Sequence, residues 1–265
     1  MMQKSIDQII GYLNYYSRAK SKYKIHPPFV FDLVVKVLES KELPYDYRKI
    51  ENIRKELLKR KEKIVFQDLG AGSNKPIVNE NQVKISSLTK NSSVSRKFAL
   101  LLYHIVKHYK LKNILELGTS MGIGSMYLAS AGEKVQVTTI EGDQTIAAMA
   151  KCNFEKAGFS NINAICGNFD DVLDEVIEKQ ESLDLVYFDG NHQYEPSLRY
   201  FNKCLAKAGN DSVFILDDIR WSEEMYEAWT EIKAHPNVSV SVDLFRMGLV
   251  FFRKESLKQD FLIRF

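Results

Sequence analysis

From about Leu111 onward, short β-branched runs alternate with longer stretches in which apolar positions recur at helical spacing. That alternation is the signature of βαβ units around a mostly parallel sheet. Asn113–Leu117, Val135–Ile140, Ile162–Cys166, Leu183–Phe188 and Ser212–Leu216 read as strands. Gly124–Ala131, Gln144–Ala157, Asp170–Gln180 and Pro196–Ala208 read as the helices between and after them. Gly132, Gly158 and Gly209 follow three of these helices, where a left-handed residue commonly ends the element. A further helix, Ser222–Ala234, is stopped by His235-Pro236, and two tightly joined runs, Val238–Leu244 and Gly248–Arg253, read as an antiparallel hairpin. The expected fold is α/β: a Rossmann-like, mostly parallel seven-stranded sheet with a C-terminal antiparallel hairpin.

The first 95 residues lack this regularity. They show helical stretches at Ile6–Arg18, Phe29–Ser40 and Tyr47–Lys63, then a polar patch, Ser86–Ser93, that reads as a linker before an amphipathic helix over Val94–Tyr109. The expected organisation is a mainly helical extension over 1–93 and the main domain over 94–265. Charge follows the same division: residues 1–95 carry a net charge of +8 and the remainder −5, against +3 for the whole chain. Such a split suggests a charged partner or two segments that dock on each other. At 265 residues, 45% hydrophobic and 27% charged, the chain is expected to build one main core plus an appendage, and disordered or collagen-like classes are excluded. The longest apolar run, Phe98–Val106, is short and interrupted by His104, so no membrane span is expected. Cys152, Cys166 and Cys204 are scattered, odd in number and without metal spacing, which points to a reducing, cytoplasmic setting.

The strongest chemical signal is Ile114-Leu115-Glu116-Leu117-Gly118-Thr119-Ser120-Met121-Gly122-Ile123-Gly124-Ser125, after a strand and opening a helix. Glycines let the backbone turn sharply and approach a ligand, and the helix start offers free N–H groups. The dinucleotide spacing fails, because counting from Gly122 reaches Gly124 and then Tyr127. The pattern acid-x-Gly-x-x-x-Gly-x-Gly instead resembles motif I of the class I S-adenosylmethionine (SAM)-dependent methyltransferases. The resemblance implies SAM contacts from Glu116, Gly118, Thr119, Ser120, Gly122 and Gly124. Glu141, ending the second strand, is placed to accept hydrogen bonds from ribose hydroxyls, and Asp143 to cap the next helix. Cys166-Gly167-Asn168-Phe169-Asp170 resembles the family's adenine-binding turn, which implies Asn168 and Phe169 as adenine contacts, with Asp170 equally readable as a cap. Asp68-Leu69-Gly70-Ala71-Gly72 also looks like an acid-glycine loop but has no helix after it, and reads as an ordinary loop or a segment covering the site.

In open α/β sheets ligands sit at the carboxyl ends of strands. Two strands end in acids here: Asp189-Gly190-Asn191-His192 and Asp217-Asp218. Asp189, Asp217 and Asp218 could converge as hard oxygen ligands for Mg²⁺ or another divalent cation. This resembles the metal-dependent catechol and caffeoyl-CoA O-methyltransferases, with Asp-Asp in place of their Asp-Asn. Their Asp-x-x-Lys corresponds to Asp189-x-x-His192, where His192 can act as base near neutral pH or simply sit at a helix start. Asp189 joins it as a catalytic and SAM-binding candidate. Asp-Gly-x-His-x-Tyr-Glu also resembles bacterial small-molecule methyltransferases, only some of which use a metal. His104 and His108, four apart, lack the third ligand of a zinc site. His26 reads as part of a turn, Trp221 as a wall of the acceptor pocket and Trp229 as core.

The leading expectation is O-methylation of a small-molecule hydroxyl, in a chain that forms a possible homodimer, with the basic extension as a lid over the acidic site. A nucleic-acid methyltransferase is disfavoured because Phe188-Asp189-Gly190-Asn191 lacks the Pro-Pro-Tyr type motif of amine methylation and no Lys-Asp-Lys-Glu tetrad can be assembled. A non-catalytic SAM-binding protein remains the alternative from another class.

Overall fold

A computed structural model describes residues 2–66 and 82–265, with side chains from residue 9 onward. The glycine loop Asp68–Gly72 lies outside the described residues. The extension contains α1 (Met2–Arg18), α2 (Pro28–Asp32) running into a π-helical turn (Leu33–Leu38), and α3 (Tyr47–Lys59). Two short antiparallel strands, β1 (Lys63–Val65) and β2 (Gln82–Lys84), lead into α4 (Ile85–Ser92). The polar patch read as a linker is therefore a helix. Its Ile85, Leu88 and Thr89 are buried on one face, a pattern that its serines and threonine disguise.

The main unit runs α5 (Arg96–Tyr109), β3 (Asn113–Leu117), α6 (Ile123–Ala129), β4 (Gln136–Glu141), α7 (Gln144–Ala157), β5 (Ile162–Cys166), α8 (Phe169–Glu178), β6 (Leu183–Phe188), α9 (Tyr194–Leu205), β7 (Ala208–Leu216), α10 (Glu223–Ala234), β8 (Val240–Asp243), β9 (Gly248–Phe251) and β10 (Gln259–Leu262). The sheet has eight strands in the order β10-β8-β9-β7-β6-β3-β4-β5. All seven expected strands are present, and β10 is the addition: it pairs in parallel with β8 at the sheet edge. Only β9 runs against its neighbours. Of the three glycine stops, Gly158 ends α7 at φ +79. Gly132 and Gly209 are not left-handed, and α5 instead ends on Lys110 at φ 55.

Alternation along the strands divides the apolar residues between two cores. Ile114, Leu185, Tyr187, Val213 and Ile215 join one; Leu115, Leu117, Val186, Phe188, Phe214 and Leu216 join the other. This period of two is what a sheet covered by helices on both faces requires. The first core takes in the extension as well, because Val30, Leu33, Val37, Ile50, Ile53 and Leu57 pack into it with Leu101, Leu102 and Ile105 of α5. Trp229 is fully buried, in the second core.

From β3 the chain winds outward through β4 to β5, then returns to place β6 and β7 on the other side of β3. The order reverses between β3 and β6, and such switch points open a crevice at the carboxyl ends of their strands.

Candidate active site

Two loops meet at that crevice. The loop after β3 is held against the end of β4, with the Gly118 and Thr119 N–H groups donating to the Ile140 carbonyl at 3.0 and 3.3 Å. The loop after β6 begins with Asp189 N–H donating to the Leu117 carbonyl at 2.8 Å. The loops touch so closely that a Cβ on Gly118, at φ +106, would lie 2.3 Å from the Asp189 carbonyl oxygen. Gly122, the N-terminal cap of α6 at φ +79, is pressed against the Phe154 ring in the same way. These close approaches explain two of the three motif glycines.

Glu116 lies beneath the loop. It is on the face of β3 that α6 covers, almost fully buried, where its carboxylate accepts hydroxyl bonds from Ser125 and, at 2.7 Å, from Thr139. A Cβ on Gly124 would meet its Oε1 at 2.7 Å, so the third glycine makes room for the acid. Burial pushes the Glu116 carboxyl up to about 7, partly offset by the two hydroxyl donors. Thr119 is buried and shares a 2.6 Å hydrogen bond with Thr139.

Glu141, expected at the ribose, faces the same loop: its carboxylate accepts from Ser120 N–H at 2.8 Å and from Asp143 N–H at 3.2 Å. Burial raises its pKa, against these backbone donors. Asp143 caps α7 by accepting from Ile146 N–H at 2.9 Å. Asn168 caps α8, accepting from Asp170 N–H at 3.1 Å, while Asp170 pairs with Arg199 at 2.7 Å. The Phe169 ring lies where a Cβ on Gly190 would come within 2.9 Å of it. Beside it, Asn191 holds a left-handed conformation at φ 52 and leaves its buried Oδ1 without a hydrogen-bond partner. The glycine cradle, the Glu141 carboxylate and this orphaned acceptor fit a polar ligand such as SAM along the crevice.

His192 precedes α9, whose cap position is Gln193. Its Nε2 lies 4.0 Å from Asp189 Oδ1, both side chains being mostly buried. That is beyond hydrogen-bond length. Burial pushes the Asp189 carboxyl well above the usual range, reinforced by the nearby charges of Asp217, Asp218 and Glu116. Burial and Asp217 raise Asp218 too, with Arg246 and His192 opposing.

The three aspartates do converge, but not around an open cation site. Asp217 is fully buried, and its two oxygens accept from Arg246 Nε (3.0 Å), Arg246 Nη2 (3.1 Å), Tyr187 Oη (3.1 Å) and Asp218 N–H (2.8 Å). A carboxylate offers about four lone-pair positions, and these four donors fill them. Asp218 Oδ1 also lies 3.2 Å from Arg246 Nε. This donor set does not fit a divalent metal, and among the described residues no group of three or more His, Cys, Asp or Glu side chains is arranged to hold one.

Arg246 was not anticipated from sequence. Its signal was the tight joint of the predicted hairpin, which had to fall at the carboxyl end of the sheet. Ser92 was missed as well: its hydroxyl lies 2.7 Å from that of Ser120, so α4 reaches the glycine loop. Trp221 is half-exposed beyond β7. His104 bonds the Glu42 carbonyl at 2.8 Å and His108 bonds Asp32 at 2.6 Å, so both serve the extension.

Residues 115–219 match a family described as a methyltransferase domain. A catechol O-methyltransferase from Niastella koreensis is 28% identical over 130 residues, 48% of this chain and 58% of that relative's length. Among solved structures, an O-methyltransferase from Bacillus cereus in complex with S-adenosylhomocysteine (SAH) aligns with a TM-score of 0.57 at 20% identity, covering 84% of this chain and 97% of that one. An SAH-bound methyltransferase from Podospora anserina aligns at 0.58 and 13%, covering 87% and 99%. With the glycine loop, the strand-end acids and the switch point already in place, the chain carries the fold of these enzymes, and residues 115–219 carry its match to the methyltransferase-domain family.

Proposed function

We propose that this protein is a SAM-dependent methyltransferase acting on a hydroxyl group of a small molecule, with His192 as the base. The observation that carries the reading is the junction of the two loops: the close approach of Gly118 to Asp189 joins the loop that would hold the methyl donor to the loop that carries His192, whose Nε2 lies 4.0 Å from Asp189. The catechol O-methyltransferase relative supports the choice of oxygen as the acceptor atom.

Bound SAM would supply an activated methyl group, leaving the chain to align the acceptor, exclude water and remove a proton. The Gly118–Gly122 loop, Glu141 and the Phe169–Asn191 wall would bind and orient SAM. His192 would accept the hydroxyl proton at Nε2, with the Asp189 carboxyl 4.0 Å away. The contact between Ser92 and Ser120 supports a covering role for the extension. No step is assigned to a metal, because Arg246 and its fellow donors saturate Asp217. Three free cysteines, two of them exposed, support a cytoplasmic setting.

The test is calorimetric titration with SAM and SAH, followed by incubation with methyl-labelled SAM and a panel of phenols, catechols and aliphatic alcohols. Binding plus label transfer to an oxygen supports the reading. Absence of SAM and SAH binding overturns it, and transfer only to nucleic acid or to nitrogen replaces the acceptor class.

A further inference from the structure

We propose that Arg246 is the resident cation of the acceptor site, standing where related chemistry would place a divalent metal. The inference rests on the methyltransferase reading for the name of the site, but its geometry does not depend on that reading.

Residues 244–247 connect β8 to β9, and β9 is the reversed strand, so this turn emerges at the same end of the sheet as β3, β6 and β7. From there Arg246 reaches back over β7. Its guanidinium meets Asp217 through two N–H groups and Asp218 through Nε, while the Phe98 ring lies 5.8 Å from Cζ. The two-point contact with a fully buried carboxylate fixes the fork in position. About a third of the Arg246 side chain is exposed, and Nη1 has no hydrogen-bonded protein acceptor among the described residues. An acceptor oxygen entering the crevice would therefore meet a fixed guanidinium.

The turn is itself anchored. Arg220 grips Asp243 through two bonds of 2.7 and 2.6 Å and donates to the Phe245 carbonyl at 2.8 Å. The Phe245 ring packs edge-on against Tyr12 of α1, with centroids 5.1 Å apart, and tilted against Tyr15 at 5.2 Å. The charge thus sits on a braced support, as a structural cation requires and a flexible surface arginine does not provide.

The experiment is Mn²⁺ titration of the full chain, stripped with EDTA and saturated with SAH, followed by electron paramagnetic resonance of the free ion. The wild type is expected to leave the free-ion signal undiminished. Arg246→Met, which empties the cation position beside Asp217 and Asp218, is expected to bind one Mn²⁺ at least tenfold more tightly than the wild type. Arg246→Lys, which keeps the charge, is expected to exclude it. The proposal is overturned if the wild type binds one Mn²⁺ and Asp218→Asn abolishes that binding, or if folded Arg246→Met binds no more Mn²⁺ than the wild type. Should Arg246→Met fail to fold, the wild-type, Asp218→Asn and Arg246→Lys measurements still decide. SAH binding without the expected Mn²⁺ behaviour sinks this inference alone, whereas loss of SAH binding by the wild type sinks the methyltransferase reading.

Discussion

Gly118 and Asp189 stand back to back, the α-carbon of one so close to the carbonyl of the other that a single added methyl group would lie 2.3 Å from the oxygen. The glycine motif is therefore as much a rule about packing between two loops as about approach to a ligand. Gly118→Ala must also hold φ +106, which an L side chain rarely adopts. The variant should fold with a lower melting temperature, and its SAH affinity in calorimetry should fall at least tenfold. Unchanged affinity would show that the loop junction does not shape the cofactor site.

Glu116 makes stability depend on pH in a direction opposite to that of a salt-bridged acid. Its folded pKa of about 7 lies above its ordinary value of 4.5, so the native state holds the proton more tightly than the unfolded chain. The stabilisation is complete below about 4.5, declines as pH rises and is lost above about 7. The swing is on the order of 3 kcal/mol. Glu116→Gln, which keeps an oxygen for Ser125 and Thr139, should remove this slope and melt above the wild type at pH 8. Thermal melts of the cofactor-free protein from pH 5 to 8 would show it; parallel curves would argue against a buried titrating Glu116.

His192→Ala should lower kcat on an identified acceptor by about 10²–10⁴-fold, the usual share of a positioned base, while SAH affinity stays within about twofold. The residual rate should climb with pH as the hydroxyl ionises unaided. A variant retaining wild-type kcat would remove His192 from the mechanism.

Glu51 joins the extension to the main unit. It is buried and binds Arg54 at 3.0 Å, the Tyr127 hydroxyl at 2.9 Å and Arg96 at 2.9 Å. Burial pushes its carboxyl up, but Arg54, Tyr127 and Arg96 together hold it below the ordinary range. Glu51→Ala strands the mostly buried Arg54 and should cost about 3–5 kcal/mol, visible as a large drop in melting temperature. Glu51→Gln, which can still accept from these donors, should cost less. A negligible change in the alanine variant would mean that the extension docks by apolar contact alone.

The main domain was legible because its information is local: strand runs, helical periods and the glycine loop each sit within one short segment. Asp143 could be read as a cap and Trp229 as core for the same reason. What escaped depends on long-range pairing. Strand β10 is short and polar at Gln259 and Asp260, so only its partner β8 reveals it. The Ser86–Ser93 patch looks like a linker until its few apolar residues find the core. Asp189, Asp217 and Asp218 were correctly brought to one end of the sheet, but the chemistry of that cluster turns on Arg246, 28 positions beyond Asp218. Asn168 shows the converse, since a residue read for adenine has a structural task as a cap.

The parallel pairing of β10 with β8 also has a meaning for the order of assembly. Beyond β10 the chain meets α1: Tyr15 bonds the Ile263 carbonyl, Arg264 donates to the Ala19 carbonyl at 3.0 Å, and Lys20 bridges Ile263. These contacts join segments almost the whole chain apart, and a ribosome delivers one long before the other. Ile9, Ile10 and Leu13 remain exposed even in the finished fold. A nascent chain therefore carries α1 with these three apolar side chains exposed and without these backbone anchors until residues 263 and 264 emerge, so truncation before Ile263 should cost solubility as well as contacts.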